Sequence, residues 1–251
     1  MLPSLTVPHF DVVVPARDEE PTVAAVVRSA LQAPGVGRVI VVDDGSTDGT
    51  AAAAREAGAL VVQAAEPGAP GSKAQALARG VGASGEPVLV FFDADILGTR
   101  PWHFTALAAP VLDAGFSLSC GLVDYGPLRS PFFLRLPPIT GLRALRREVF
   151  EAVPEERRNG FQIEIMINEV AARGRLPCAI QVLPGLQHRS KIDKVGWRRG
   201  LPAWAAMTGE LLSCLRFVPL WTYGAYLRSL TVLPPSFSYS PAESSTPLDT
   251  A

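Results

Sequence analysis

Two carboxylates one residue apart, in Asp93-Ala94-Asp95, close the apolar run Pro87-Val88-Leu89-Val90-Phe91-Phe92. In an extended chain, side chains two residues apart project to the same side, so Asp93 and Asp95 can reach one point just past a strand's carboxyl end. Such a pair suits Mg2+ or Mn2+, hard cations that complete their shell with substrate phosphates. Turn chemistry at a strand end yields the same tripeptide, so the reading depends on what converges beside it.

Three further polar clusters follow apolar runs in the same way: Pro15-Ala16-Arg17-Asp18-Glu19, Asp43-Asp44-Gly45-Ser46, and the glycine-rich loop ending at Lys73. Carboxylates such as Asp43 and Asp44 accept hydrogen bonds from a base or ribose; an Asx turn before a helix is the plain alternative. Lys73 opens a helix after a flexible loop, so its ammonium and the helix N-terminus can face a phosphate, or the lysine can be solvated. Later in the chain, Glu164 stands among Ile163, Ile165, Met166 and Ile167, where a charge calls for a partner or a function. A salt link to an arginine of residues 143–147 would satisfy it. His188 offers a neutral imidazole suited to Mn2+, or is simply a surface histidine. Arg143, Arg189 and Lys191 offer cationic donors to an anionic acceptor or a diphosphate, or are simply solvated.

The elements that must position these residues are read from periodicity. Strands are expected over residues 11–14, 38–43, 59–63 and 88–92, with helices over 23–31, 49–57 and 73–81 between them. Continuous apolar strands alternating with helices imply an α/β fold, a mostly parallel sheet covered on both faces. Ligands of such sheets bind beyond the strands' carboxyl ends, where all four clusters fall. In the second half, helices are expected over 102–112, 141–153, 161–172, 197–217 and 219–230, and strands over 117–123 and 178–183. The Ser/Pro/Thr-rich tail from Pro234 reads as disordered.

The 251 residues carry a net charge of −1. About 7 basic and 14 acidic side chains lie in residues 1–125, against about 16 and 10 in the remainder, so a cation suits the first half and an anionic partner the second. The basic residues are dispersed without aromatic interleaving, which argues against nucleic acid. Cys120, Cys178 and Cys214 show neither zinc spacing nor a disulfide framework, which fits a reducing cytoplasm. No signal peptide or uninterrupted transmembrane span is read. Trp197, Trp204, Trp221, Tyr223 and Tyr226 beside basic residues suit peripheral contact with the inner membrane face, or equally core helices or a homodimer interface. There is no G-x-G-x-x-G after the first strand and no P-loop sequence.

The segments Pro15-Ala16-Arg17-Asp18-Glu19-Glu20, Val41 to Thr50 and Phe92-Asp93-Ala94-Asp95 resemble, in order and spacing, the signatures of family 2 nucleotide-sugar glycosyltransferases of the GT-A fold. The resemblance implies a metal-dependent enzyme using a UDP- or GDP-linked sugar. Pro15, Ala16, Arg17, Glu19, Asp43, Asp44, Ser46, Lys73, Asp93 and Ala94 would line the nucleotide-sugar site, and Asp95, with Asp93, would hold the metal. Ile139 to Glu148, Gly160 to Ile165 and Gln187 to Lys191 resemble acceptor-side segments of glucosyl-3-phosphoglycerate synthases and of polyprenyl-phosphate sugar synthases. By that likeness His188 completes the metal shell, Glu164 joins Asp95 as a catalytic residue, and Arg143, Arg189 and Lys191 meet a phosphate-bearing acceptor. One domain is expected over 1–233: nucleotide-sugar binding to residue 100, the acceptor side to 196, then C-terminal helices. No Glu-Asp dipeptide supplies the base common in inverting members, which leaves the stereochemical outcome open. A nucleotidyltransferase would need a basic triphosphate loop where Arg17-Asp18-Glu19-Glu20 stands, and a non-enzymatic nucleotide-sugar sensor would have no use for Glu164 and His188.

Overall fold

The structure, a computed structural model, describes residues 9–69, 71–124, 130, 134, 138–158, 163–189 and 220–234. The expected helix over 197–217, the tail beyond Pro234, and Lys191 lie outside these residues. Strand β1 (Phe10–Ala16) is followed by α1 (Glu20–Leu31), β2 (Val36–Asp44), α2 (Thr50–Glu56), β3 (Leu60–Ala65), α3 (Lys73–Ala83) and β4 (Val88–Phe91). A short β5 (Ile96–Leu97) and α4 (Pro101–Asp113) come next, then β6 (Leu118–Val123), β7 (Arg143–Arg146) and α5 (Arg147–Glu151). The chain continues through α6 (Ile163–Gly174), β8 (Cys178–Leu183), β9 (Gln187–His188), α7 (Leu220–Ser229) and β10 (Leu230–Val232).

Eight strands form one sheet in the order β10-β8-β6-β7-β4-β1-β2-β3, and β5 pairs with β9 in a separate ribbon. Every neighbour pair in the large sheet is parallel except those of β7, which runs antiparallel to both β4 and β6. Helices cover both faces. Val12, Val14, Val41 and Val90 pack with α1 and α4 on one side, while Val13, Ile40, Leu89 and Leu145 pack with α3 and α6 on the other. Burial on both faces is why these strands read as unbroken apolar runs.

The helix expected over 141–153 is instead a strand followed by the five-residue α5. Leu142 and Ala144 enter one core layer and Leu145 the other, so the segment obeys a period of two. Apolar residues on both faces imitate helical spacing in a run this short. The correction matters for the site, because antiparallel pairing sets Arg143 opposite Phe91 and delivers Thr140 and Gly141 to the carboxyl ends of the parallel strands.

Helix α4 carries Pro110 in its interior, which removes the amide that would bond the Ala106 carbonyl. Gln181 of β8 donates to that carbonyl at 2.7 Å and fastens the helix to the sheet. Tyr226 of α7 is 1% exposed and its hydroxyl meets Cys120 Sγ at 3.8 Å, so this tyrosine belongs to the core rather than to an interfacial belt. Among the described residues no helix is long and apolar enough to cross a membrane.

Candidate active site

The loops after β1 and β2 are built as one unit. Asp18 adopts a left-handed backbone, φ 53°, which turns its side chain back so that Oδ1 accepts from the Thr47 amide at 2.8 Å. In return, Ser46 Oγ accepts from the Asp18 amide and Thr50 Oγ1 from the Glu19 amide, at 3.1 and 2.8 Å. Glu20 receives the Gly49 amide at the start of α2. Ser46 and Asp18 thus shape the rim rather than project from it, while Arg17 is exposed beside the mouth.

Asp43 and Asp44 end β2 with different surroundings. Asp43 accepts from the Ser46 amide three residues on at 2.9 Å, the local turn bonding given as the alternative reading, and from Gln63 Nε2 at 3.1 Å. Gln63, on β3, gave no signal in the sequence beyond its place in a strand. Asp44 is 8% exposed and burial raises its pKa, opposed by the Ser72 amide and by Arg17. A Cβ at Gly71 would lie 2.2 Å from Asp44 Oδ2, so glycine there lets the loop backbone close over the carboxylate.

Behind this rim lies a small crevice lined by Pro15, Lys73, Phe91, Gly141, Arg143 and Glu164. Lys73 Nζ bridges Asp93 Oδ1 at 2.7 Å and Glu164 Oε1 at 2.9 Å. Its ammonium is neither solvated nor a bystander: the two carboxylates raise its pKa against the opposing effect of burial. Glu164, 5% exposed, takes this lysine as its partner and not an arginine. Arg143 instead binds carbonyls, donating from Nε to Thr140 at 2.9 Å and from Nη1 to the Glu164 main chain at 3.3 Å, with Asn168 Oδ1 also at 3.3 Å. At 1% exposure it ties α6 to the segment that leads from Gly141 into β7, and it lines the crevice.

Sequence spacing placed Asp93 and Asp95 on one side of a strand. The strand ends at Phe91, and Ala94 and Asp95 form a turn. Asp93 faces Lys73; Asp95 faces His188, whose Nδ1 lies 3.8 Å from Asp95 Oδ1. The link between Asp95 and His188 is made by the ribbon: Ile96 pairs with His188, and the Arg189 amide donates to the Asp95 carbonyl at 3.0 Å. The Asp95 carboxylate raises the His188 pKa. Among the described residues no three His, Cys, Asp or Glu side chains are already gathered as a metal cluster. Asp95 and His188 nonetheless fit a divalent cation. They supply oxygen and nitrogen donors at a separation that two bonds of about 2.1 Å can span, and they leave positions for phosphate oxygens. Both keep access to solvent, with side chains 24% and 44% exposed.

The mixed sheet, with its antiparallel β7 and the carboxylates past β4, matches the GT-A fold, and residues 11–159 match the model of glycosyl transferase family 2, so the chain belongs to that family. Among curated proteins it is similar to glucosyl-3-phosphoglycerate synthase of Mycolicibacterium paratuberculosis, 31% identical over 219 residues, covering 72% of this chain and 66% of the relative. The synthase of Mycobacterium tuberculosis is 29% identical over 225 residues, 74% of this chain and 69% of that protein. The chain thus spans about two thirds of the length of these relatives. A crystal structure of the M. tuberculosis enzyme with Mn2+, UDP and glucosyl-3-phosphoglycerate superposes with a TM-score of 0.68 at 27% identity, over 86% of this chain and 80% of that one. Another, with Mg2+ and UDP, gives 0.68 at 28% identity with the same coverage.

Proposed function

We propose that this chain transfers a hexose from a nucleoside-diphosphate sugar, UDP-glucose being the first candidate, to a small phosphate-bearing acceptor of the phosphoglycerate kind. The observation that carries the reading is the β5–β9 ribbon, which brings Asp95 and His188 together from 93 positions apart. Asp95 and His188 would hold Mg2+ or Mn2+, with Asp93 as a third ligand; when bound, the cation offsets charge developing on the leaving β-phosphate. Asp43 and Asp44 receive the nucleoside, with Ala16, Arg17 and Glu19 along its rim. Lys73 and Glu164 orient the sugar, presenting one donor and one acceptor to its hydroxyls from a partly buried position where such bonds are strong. Arg189, on the ribbon, and Lys191 meet the acceptor phosphate. A polyprenyl phosphate would attack through an oxygen already ionised at neutral pH and needs no strong base, whereas the hydroxyl of a phosphoglycerate must give up its proton as the glycosidic bond forms.

The test is product formation from UDP-glucose or GDP-glucose with Mn2+, offered 3-phosphoglycerate or polyprenyl phosphate. A glucosylated phosphoglycerate supports the reading. Transfer to the lipid phosphate alone moves the enzyme to the other acceptor class, and free glucose with every acceptor overturns the acceptor assignment.

A further inference from the structure

His103 lies on α4, away from the crevice, and is 1% exposed. Both ring nitrogens are engaged. As the third residue of α4 it accepts from the Arg100 amide at Nδ1, 2.9 Å, as a capping side chain does. That bond fixes the proton on Nε2, which donates to the Pro184 carbonyl at 3.0 Å. Burial lowers the His103 pKa, which keeps the ring neutral. The Trp102 ring covers it at a centroid distance of 3.9 Å.

Pro184 begins the turn between β8 and β9, and His188 stands four residues further on. The same turn is gripped from the other side. Gly98, just after β5, approaches so closely that a Cβ there would lie 2.1 Å from the Gly185 carbonyl oxygen, and both glycines have positive φ. The ribbon carrying Asp95 and His188 is therefore fixed at its far end by the Gly98–Gly185 contact and by the His103 bond to Pro184. Helix α4 is itself tied to β8 through Gln181, so the bond connects the ribbon to the rigid sheet.

We infer that His103 is a positioning residue: its Nε2–H bond to the Pro184 carbonyl sets the β8–β9 turn and, through it, the placement of His188 opposite Asp95. This inference rests on the reading of Asp95 and His188 as a divalent-cation pair. Groups that orient a metal's ligands without touching the metal contribute about 10- to 100-fold to its affinity.

The two ring bonds are separable by substitution. In His103→Gln the amide nitrogen replaces Nε2 and keeps the bond to Pro184, while the bond from Arg100 is lost. In His103→Asn the amide oxygen replaces Nδ1 and keeps the cap, while the bond to Pro184 is lost. Mn2+ binding in the presence of UDP, followed by the electron paramagnetic resonance of free Mn2+, is measured on both variants alongside thermal unfolding. The expected result is an Mn2+ affinity about 10-fold weaker in His103→Asn and within about twofold of the parent in His103→Gln. Equal affinities in both variants and the parent, or equal losses that follow the fall in melting temperature, overturn the inference. If the parent chain binds no Mn2+ with UDP present, the cation pair itself is refuted and the inference falls with it; that failure is visible without any His103 variant.

Discussion

Lys73 Nζ stands 2.7 Å from Asp93 Oδ1, so one cation holds the first carboxylate of the D-x-D motif while Asp95 is left to face His188. Glu164 Oε1 lies on the other side of the same ammonium at 2.9 Å. Asp93 thus meets Lys73 and Asp95 meets the β5–β9 ribbon, while both carboxylates raise the His188 pKa.

Replacing Lys73 by Met leaves two carboxylates facing each other without their shared cation. Folding stability should fall by about 3 kcal/mol, the low end for a broken buried pair because Lys73 and Asp93 keep 18% exposure. Adding Glu164→Gln should restore part of that loss, giving a coupling of about 1 kcal/mol in a urea-denaturation double-mutant cycle. Additive effects would mean the bridge is not formed in solution.

Gly141 carries no side chain for a reason visible at Asp93: a Cβ there would sit 2.2 Å from both carboxylate oxygens. Gly141→Ala should push Asp93 off Lys73 and lower turnover of a nucleotide sugar by about 10-fold or more, since small misplacements in a reacting site are costly. Unfolding should shift far less than in Lys73→Met. Wild-type turnover in this variant would show that the Asp93 position is not needed.

Asp95→Asn and His188→Gln should each weaken Mn2+ binding in the presence of UDP by at least about 10-fold, and the double variant should add little to the worse of the two. Calorimetric titration of Mn2+ reads this directly. Full additivity would separate the two residues.

The His103 pKa lies below its ordinary 6.5 because the ring is buried. In the unfolded chain the ring takes up a proton as pH falls through that value, while the folded chain resists, so the unfolded state binds more protons. Stability should therefore decline from about pH 6.5 downward until the folded ring also protonates. His103→Gln should remove this component from the pH dependence of chemical denaturation, and an unchanged slope below pH 6.5 would contradict the assignment.

The legibility of the chain follows from distance along it. Strands β1 to β4 and the clusters after them are legible because each loop directly follows an apolar run, although the turn-forming bond at Asp43, given only as the alternative to nucleoside binding, is also made. Glu164 was conspicuous as a charge on an apolar stretch, but its partner, 91 positions earlier, had no local signal. The strand Arg143–Arg146 was misread because burial on both faces imitates a helix in a short run. Asp93 and Asp95 take different partners, Lys73 and His188, beyond the point where β4 stops. Nothing in the sequence links His103 to Pro184, 81 positions later.

In the proposed function the Asp95–His188 pair serves cation-assisted cleavage of a nucleotide sugar. The most direct measurement is release of nucleoside diphosphate from a nucleotide sugar in the presence of a phosphorylated acceptor, before chelation, after chelation with EDTA, and after Mn2+ is restored. Acceptor-dependent release that is lost with EDTA and returns with Mn2+ in the parent chain, but does not return in Asp95→Asn, is the predicted result. Release that EDTA leaves unchanged, or that Asp95→Asn retains in full, would contradict it.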